Sequence, residues 1–64
     1  GESLFVEVQL PTVVELFDLT GHSILKTTVK QNHSSIDIRN LSSGIYILYL
    51  QNAQAKSTRK LVRL

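Results

Sequence analysis

The most constraining feature of this sequence is an uninterrupted apolar run, Ile45–Leu50, that follows a polar turn at Asn40–Gly44. The run has the length of a strand, is too short for an independent helix, and is rich in β-branched and aromatic residues. Successive side chains of a strand point to opposite faces, and both faces of this one are apolar. We therefore expect the central strand of a small sheet, covered on both sides. The two faces carry Ile45, Ile47 and Tyr49, and Tyr46, Leu48 and Leu50.

Five further segments have the period-two alternation or the β-branched content of strands. Pro11 closes the first because it has no N–H to donate, Asp18 and Gly21 form a tight turn after the second, and a polar loop at Gln31–Ser35 precedes the fourth. No stretch has the apolar spacing and cap of a helix. Six strands with frequent turns predict an all-β sandwich or small barrel. Besides Ile45–Leu50, the expected strands are Leu4–Leu10, Thr12–Asp18, His22–Lys30, Ile36–Arg39 and Ala55–Leu64.

The size of the chain limits how stable it can be alone. A chain of 64 residues buries only about 60% of its unfolded surface, and this one has no cysteine for a disulfide. We expect it to gain stability from a neighbouring domain, an added strand or a second copy. No apolar run approaches the roughly 20 residues of a membrane span, and no secretory signal is present.

Three segments, in order along the chain, together resemble a known family. Val14–Gly21 has the pattern hydrophobic-x-hydrophobic-aromatic-Asp-x-x-Gly, Ile36–Leu48 is similar to an IDVSxLxxGxYxL core, and Lys60–Leu64 is a basic and apolar ending. Each pattern alone is common, but the three at this spacing are fairly specific. The sequence thus resembles the type A C-terminal sorting domain of proteins that Bacteroidetes export through the type IX secretion system.

The resemblance implies an immunoglobulin-like antiparallel β-sandwich of about six to seven strands, formed by residues 1–64 and following an N-terminal cargo domain. It implies a non-catalytic address, without cofactor or metal, that the type IX outer-membrane translocon recognises in the periplasm. The cargo then reaches the outer-membrane surface or the extracellular space, and a surface sortase-like peptidase commonly removes the domain. Carried onto this sequence, the resemblance assigns translocon recognition to Lys60, Leu61, Val62, Arg63 and Leu64, motif turns to Asp18, Gly21, Asn40 and Gly44, and a motif core to Val14, Leu16, Ile36, Ile38, Leu41, Tyr46 and Leu48.

One departure from the family pattern concerns the first strand. Family members usually begin with a Tyr-Pro-Asn-Pro-like segment, which is absent before Leu4, and Pro11 is no substitute. We therefore expect the domain to lack its first strand segment and to leave one sheet edge unpaired. That edge would pair by strand addition with the partner or with a second copy, giving a homodimer or strand exchange.

The basic residues near the end of the chain leave two interpretations open. The net charge is only +2, but all five acidic residues precede Asn40, whereas four of the seven basic residues fall within residues 56–64. Lysine and arginine on an exposed edge strand keep it from aggregating. The same charges could steer the strand onto the translocon, with neighbouring apolar residues adding grip. The four residues are Lys56, Arg59, Lys60 and Arg63.

Other kinds of site have less support in the sequence. His22 and His33 have no cysteine or acid at ligand-like spacing, which disfavours a metal site. Ser34 and Ser35 adjoin His33 but lack the oriented third group of a hydrolase. The two tyrosines of the central strand point to opposite faces, so they form no stacking platform for nucleic acid. The alternative left open is an adhesion or carbohydrate-binding immunoglobulin-like module, which would be distinguished by further chain after Leu64.

Overall fold

Six β-strands, each antiparallel to its neighbours, make up the folded chain. This computed structural model describes residues 3–30 and 32–64, and none of them lies in a helix. The prediction of an all-β fold is therefore confirmed. The strands are β1 (Ser3–Val8), β2 (Thr12–Asp18), β3 (Ser23–Val29), β4 (Asn32–Asp37), β5 (Gly44–Gln51) and β6 (Lys56–Arg63).

The strands form two sheets. β1 and β4 pair in a sheet of two strands, and the larger sheet has the order β3–β2–β5–β6. β5 therefore has a strand on each side, as predicted for the apolar run Ile45–Leu50. β3 and β6 are the edges of the larger sheet, each with one neighbour among the described residues. The architecture is consistent with a small β-sandwich.

The core lies between the two sheets and is built from alternate residues of the strands. On β2, Val14 and Leu16 are 0% and 1% exposed, and Leu48 of β5 lies directly opposite Leu16. The smaller sheet contributes Val6 and Ile36 to the same cluster. The inner face of the larger sheet is thereby covered. The buried apolar residues are Val6, Val14, Leu16, Val29, Ile36, Ile38, Tyr46 and Leu48.

β5 is covered on one face only, and the prediction of cover on both faces is wrong. Tyr46 and Leu48 are buried on the inner face, whereas Ile45 on the outer face is 40% exposed and Ile47 and Tyr49 are half-buried. The smaller sheet packs against the inner face, so the outer side chains are screened chiefly by neighbours within their own sheet. An apolar outer face is therefore left open to solvent.

The predicted polar loop at Gln31–Ser35 is also wrong for its described residues. Asn32 to Ser35 belong to β4 and pair with β1, with Asn32 opposite Val8 and Ser35 opposite Phe5. Polar side chains do not prevent this pairing because the ladder is made by backbone N–H and C=O groups. Gln31 itself lies outside the described residues.

Several strand ends differ from the expected ones by one or two residues. β1 ends at Val8 rather than Leu10, β3 covers Ser23–Val29, and β4 ends before Ile38. The register of β2 with β3 shifts after Leu16, where one extra residue of β3, Ile24, forms an irregularity. Strand ends are set by backbone pairing, which periodicity locates only approximately.

Candidate recognition surface

The last strand, β6, lies at an edge of the larger sheet. It pairs along its whole length with β5, from Gly44 opposite Arg63 to Gln51 opposite Lys56. Among the described residues no strand pairs with its other side. One row of backbone donors and acceptors in β6 is therefore accessible to a partner.

Alternation along β6 divides the basic residues between two faces. Lys60 lies opposite Ile47 and Val62 opposite Ile45, so both belong to the outer face. Leu61 lies opposite the buried Tyr46, on the inner side. The basic residues therefore do not form a single cluster. Lys56 and Lys60 belong to the outer face, and Arg59 and Arg63 to the inner side of the edge.

The five residues assigned to translocon recognition differ in exposure. Lys60 is exposed, Val62 is 51% exposed and Leu64, which follows the strand, is 96% exposed. Leu61 and Arg63 are half-buried, and Leu61 packs against the core. Leu61 thus fixes the strand to the sandwich while Lys60, Val62 and Leu64 remain accessible.

The outer face of the larger sheet carries an apolar group that sequence reasoning did not single out. The pairing register aligns residues of neighbouring strands in rows across this face. We call the apolar residues of three adjacent rows the outer-face patch. Those members are Phe17, Ile45, Ile47, Tyr49 and Val62. The rows are Ile45–Val62, Phe17–Ile47–Lys60 and Lys26–Glu15–Tyr49–Thr58.

The turn after β2 is held by the Asp18 side chain. Its Oδ1 accepts hydrogen bonds from the Thr20 N–H at 2.9 Å, the Thr20 hydroxyl at 2.6 Å and the His22 N–H at 3.0 Å. Gly21 has φ of 90°, a conformation that glycine adopts without steric cost. The hydroxyl of Thr20 followed by the backbone N–H of His22 are the main groups that lower the pKa of Asp18 below 3.8. These bonds close the β2–β3 hairpin.

The same turn has no arrangement suited to catalysis. The Thr20 hydroxyl contacts both Asp18 and Nδ1 of His22, the latter at 2.9 Å. In a hydrolytic triad the carboxylate would instead orient the second nitrogen of the imidazole. All three side chains serve the turn geometry. Among the side chains that the structure describes, which leave out those of residues 7 and 32–34 and so His33 and Ser34, no group of three histidine, cysteine or acidic residues is placed to hold a metal.

The second motif turn connects β4 to β5. Leu41 N–H donates to the Ile38 carbonyl at 3.1 Å, and the Tyr46 hydroxyl donates to the Ser42 carbonyl at 2.7 Å. Gly44 has φ of 152°, which side-chain-bearing residues rarely adopt, although a Cβ there would meet no atom within 4 Å. Asn40 is exposed beside this turn. The Tyr46 bond ties the turn to the strand in the manner of a tyrosine corner.

An ion pair lies just before this turn in the chain. Arg39 donates from Nε to both carboxylate oxygens of Asp37 at 3.0 Å and from a terminal nitrogen to one of them at 2.7 Å. The Arg39 side chain, followed by its backbone N–H, lowers the pKa of Asp37. Both groups are solvent-exposed, so the pair shapes the loop more than it stabilises the fold.

Of the clefts formed by described residues, two open at opposite ends of the sandwich, and neither contains a catalytic constellation. One of about 210 Å³ is bounded by Leu25, Asn40 and Leu41, and its charged member, Asp37, is paired with Arg39. The other, of about 440 Å³, has Arg59 as its charged member. Neither cleft combines a nucleophile with a base.

The motif-core residues meet between the two sheets. Six of them are buried, and Leu41 is half-buried against the same cluster. The three segments that resemble family motifs thus supply most of the core, the two turns and the end of the edge strand of one sandwich.

Nearly the whole chain matches a known protein family. The family model for the secretion system C-terminal sorting domain matches residues 2–63. The chain belongs to that family. It is a C-terminal sorting signal of the type IX secretion system of Bacteroidetes, and this family is not known for enzymatic activity. No curated protein sequence matches the chain significantly.

Membership in the sorting-domain family relates the edge strand and the open face to protein secretion. A type IX sorting domain is exported with an N-terminal cargo, interacts with the secretion machinery and reaches the cell surface or the extracellular space. In the described part of this sorting domain, no helix is long and apolar enough to cross a membrane.

Proposed function

We propose that this sorting domain directs its cargo through the type IX outer-membrane translocon, which recognises the segment Lys60–Leu64. The carrying observation is that this segment combines an anchored residue with accessible ones on an edge strand. Leu61 packs against the core, while Val62 is 51% and Leu64 96% exposed. A partner can therefore contact the strand without unfolding the domain.

Electrostatics supports an acidic partner at this edge. The accessible face of β6 presents Lys60 and Lys56, with no acidic residue on the strand. Such charges accelerate encounter with an oppositely charged surface more than they tighten the final complex. The lysines thus bring the strand to its receptor, and the apolar contacts hold it there.

Strand addition is the second element of the proposed recognition. β6 has one described neighbour, β5, and its free edge can accept a strand of the translocon or of a second copy. Backbone pairing of this kind gives affinity without demanding a particular side-chain sequence.

The proposed route places recognition after export into the periplasm. The domain would reach the outer membrane folded, and a surface sortase-like peptidase would then remove it from the cargo. Removal of the domain would not impair the cargo, because the domain serves as an address and has no catalytic constellation among its described residues.

Charge reversal at one lysine tests the recognition segment. In the cargo-bearing chain, Lys60→Glu should reduce the surface-displayed fraction several-fold in a type IX-competent bacterium, because it opposes steering onto an acidic receptor. Lys30→Glu is the matched control, since Lys30 is also exposed but lies outside β6. Display is measured by antibody labelling of intact cells against total cargo.

Both variants should retain the thermal stability of the unaltered domain, because exposed charges away from partners contribute little. Undiminished display of Lys60→Glu, with the domain folded, would contradict recognition through this segment and leave Lys60 the role of keeping an edge strand soluble.

A further inference from the structure

The outer-face patch is placed where a partner can cover it. Ile45 is 40% and Val62 51% exposed, and these two lie directly opposite each other on β5 and β6. Phe17 and Ile47 form the next row and are half-buried. Contiguous apolar surface bordered by polar residues is typical of interaction sites on soluble proteins.

The charges around the patch have one predominant sign. The outer face of the larger sheet carries Lys26, Lys56 and Lys60, all exposed, against a single acid, Glu15. Glu15 is half-buried and accepts a hydrogen bond from the Ser23 hydroxyl at 2.7 Å. The face is therefore an apolar centre with a basic rim, and its electrostatic complement is an apolar surface with an acidic rim.

We propose that the outer face of the larger sheet docks flat on a protein of the type IX export machinery whose surface has an apolar centre and an acidic rim. This proposal rests on the proposed function and extends it from the edge strand to the whole face. Val62 and Lys60 belong both to the recognition segment and to the outer face, so the two surfaces are continuous. The receptor would contact β6 first and spread across β5 and β2.

The shape of the patch favours a protein over a lipid surface. Its side chains lie within a sheet and none is more than 51% exposed. The apolar residues that protrude most, Phe5 at 76% and Leu64 at 96%, are not in the patch. Insertion into a membrane interface requires protruding apolar groups, whereas a flat apolar face suits a complementary protein surface.

Charge also disfavours a second copy of the chain as the occupant. A two-fold interface would place the same face on both sides and bring Lys26, Lys56 and Lys60 of each copy towards those of the other. Like charges brought together in an interface weaken it. An acidic receptor removes this repulsion.

The test uses the cargo-bearing chain with Ile45→Thr and Val62→Thr combined. Threonine keeps the β-branched shape that favours strands while replacing apolar surface by a hydroxyl. Surface display should fall about tenfold, the loss expected when central apolar contacts of an interface are removed. Phe5→Thr is the matched control, because Phe5 is more exposed but lies on the smaller sheet, and its display should be unchanged.

A single charge change separates the whole face from the edge strand. Lys26 lies on β3, three strands away from β6, or roughly 14 Å at ordinary strand spacing. Lys26→Gln should lower display if the receptor spans the outer face, and Lys30→Gln should not. Lys26→Gln also keeps the proposal testable if the double threonine variant does not fold.

The outcomes distinguish this inference from the proposed function. Display of Lys26→Gln, or of the folded threonine variant, could be unaltered while removal of residues 1–64 abolishes display. This result would overturn docking through the outer face and leave the proposed function standing. Loss of display in the patch and Lys26 variants, with display retained in Phe5→Thr and Lys30→Gln, supports it. Dimers of the purified chain that the threonine changes dissociate, or binding to anionic vesicles that they abolish, would instead assign the patch to a second copy or to lipid and overturn the proposal.

Discussion

At the scale of single residues, this sorting domain depends on a few side chains that tie turns to strands. Asp18 closes the β2–β3 hairpin through bonds to the backbone of Thr20 and His22. Tyr46 spans the turn before β5 with a hydroxyl bond to Ser42. Both belong to segments that resemble family motifs, so part of the motif pattern is explained by turn geometry.

Removing one hydroxyl tests the Tyr46 bond. Tyr46→Phe should reduce the free energy of unfolding by about 1 kcal/mol, because the partly buried hydrogen bond from the Tyr46 hydroxyl to the Ser42 carbonyl is lost. Tyr49→Phe is the matched control, since its hydroxyl makes only a 3.4 Å contact with Gln51 on the exposed face. Its effect should stay within about 0.5 kcal/mol. Equal losses in denaturant unfolding of the two variants would contradict a structural role for the Ser42 bond.

The lowered pKa of Asp18 predicts a loss of stability in acid. The pKa of folded Asp18 lies below its ordinary value of 3.8, so the stability that Asp18 contributes is complete above pH 3.8 and disappears as the pH falls through the folded-state pKa. Asp37 acts in the same direction. Asp18→Asn keeps a side-chain acceptor without a titrating group, so thermal unfolding temperature should depend less steeply on pH below about 4. An unchanged slope would show that Asp18 does not contribute to it.

At the scale of elements, the sequence specified inner strands better than polar ones. β2 and β5 were predictable because apolar residues at alternate positions require a covered face. The first part of β4 was not, since Asn32 to Ser35 have polar side chains and are held by backbone pairing with β1. The sequence also predicts a buried outer face for β5, and this is wrong because the apolarity of a strand does not reveal which element, if any, covers it.

The candidate site likewise has one feature that the sequence could predict and one that it could not. Period-two alternation alone could have separated Lys60 from Arg63, which lie on opposite faces of β6. The outer-face patch required more, because it depends on the register that places Phe17 beside Ile47 and Ile45 beside Val62. Register between strands distant in sequence is a property of the folded sheet.

At the scale of the whole molecule, a thin sandwich leaves much of its apolar surface open to a partner. A chain of 64 residues gains limited stability from its own core. Binding to a receptor that recognises only the folded state would add stability by mass action. A receptor that covers the open face and the edge strand would therefore add the stability that a domain of this size lacks.

The most direct measurement of the central claim is surface display of the cargo-bearing chain with and without residues 1–64. Both forms are expressed in a type IX-competent bacterium and in one lacking the outer-membrane translocon. The account predicts display only for the complete chain in the competent strain, with the truncated cargo retained inside the cell. Equal display of the truncated cargo, or display of the complete chain without the translocon, would contradict the conclusion that this folded domain directs export.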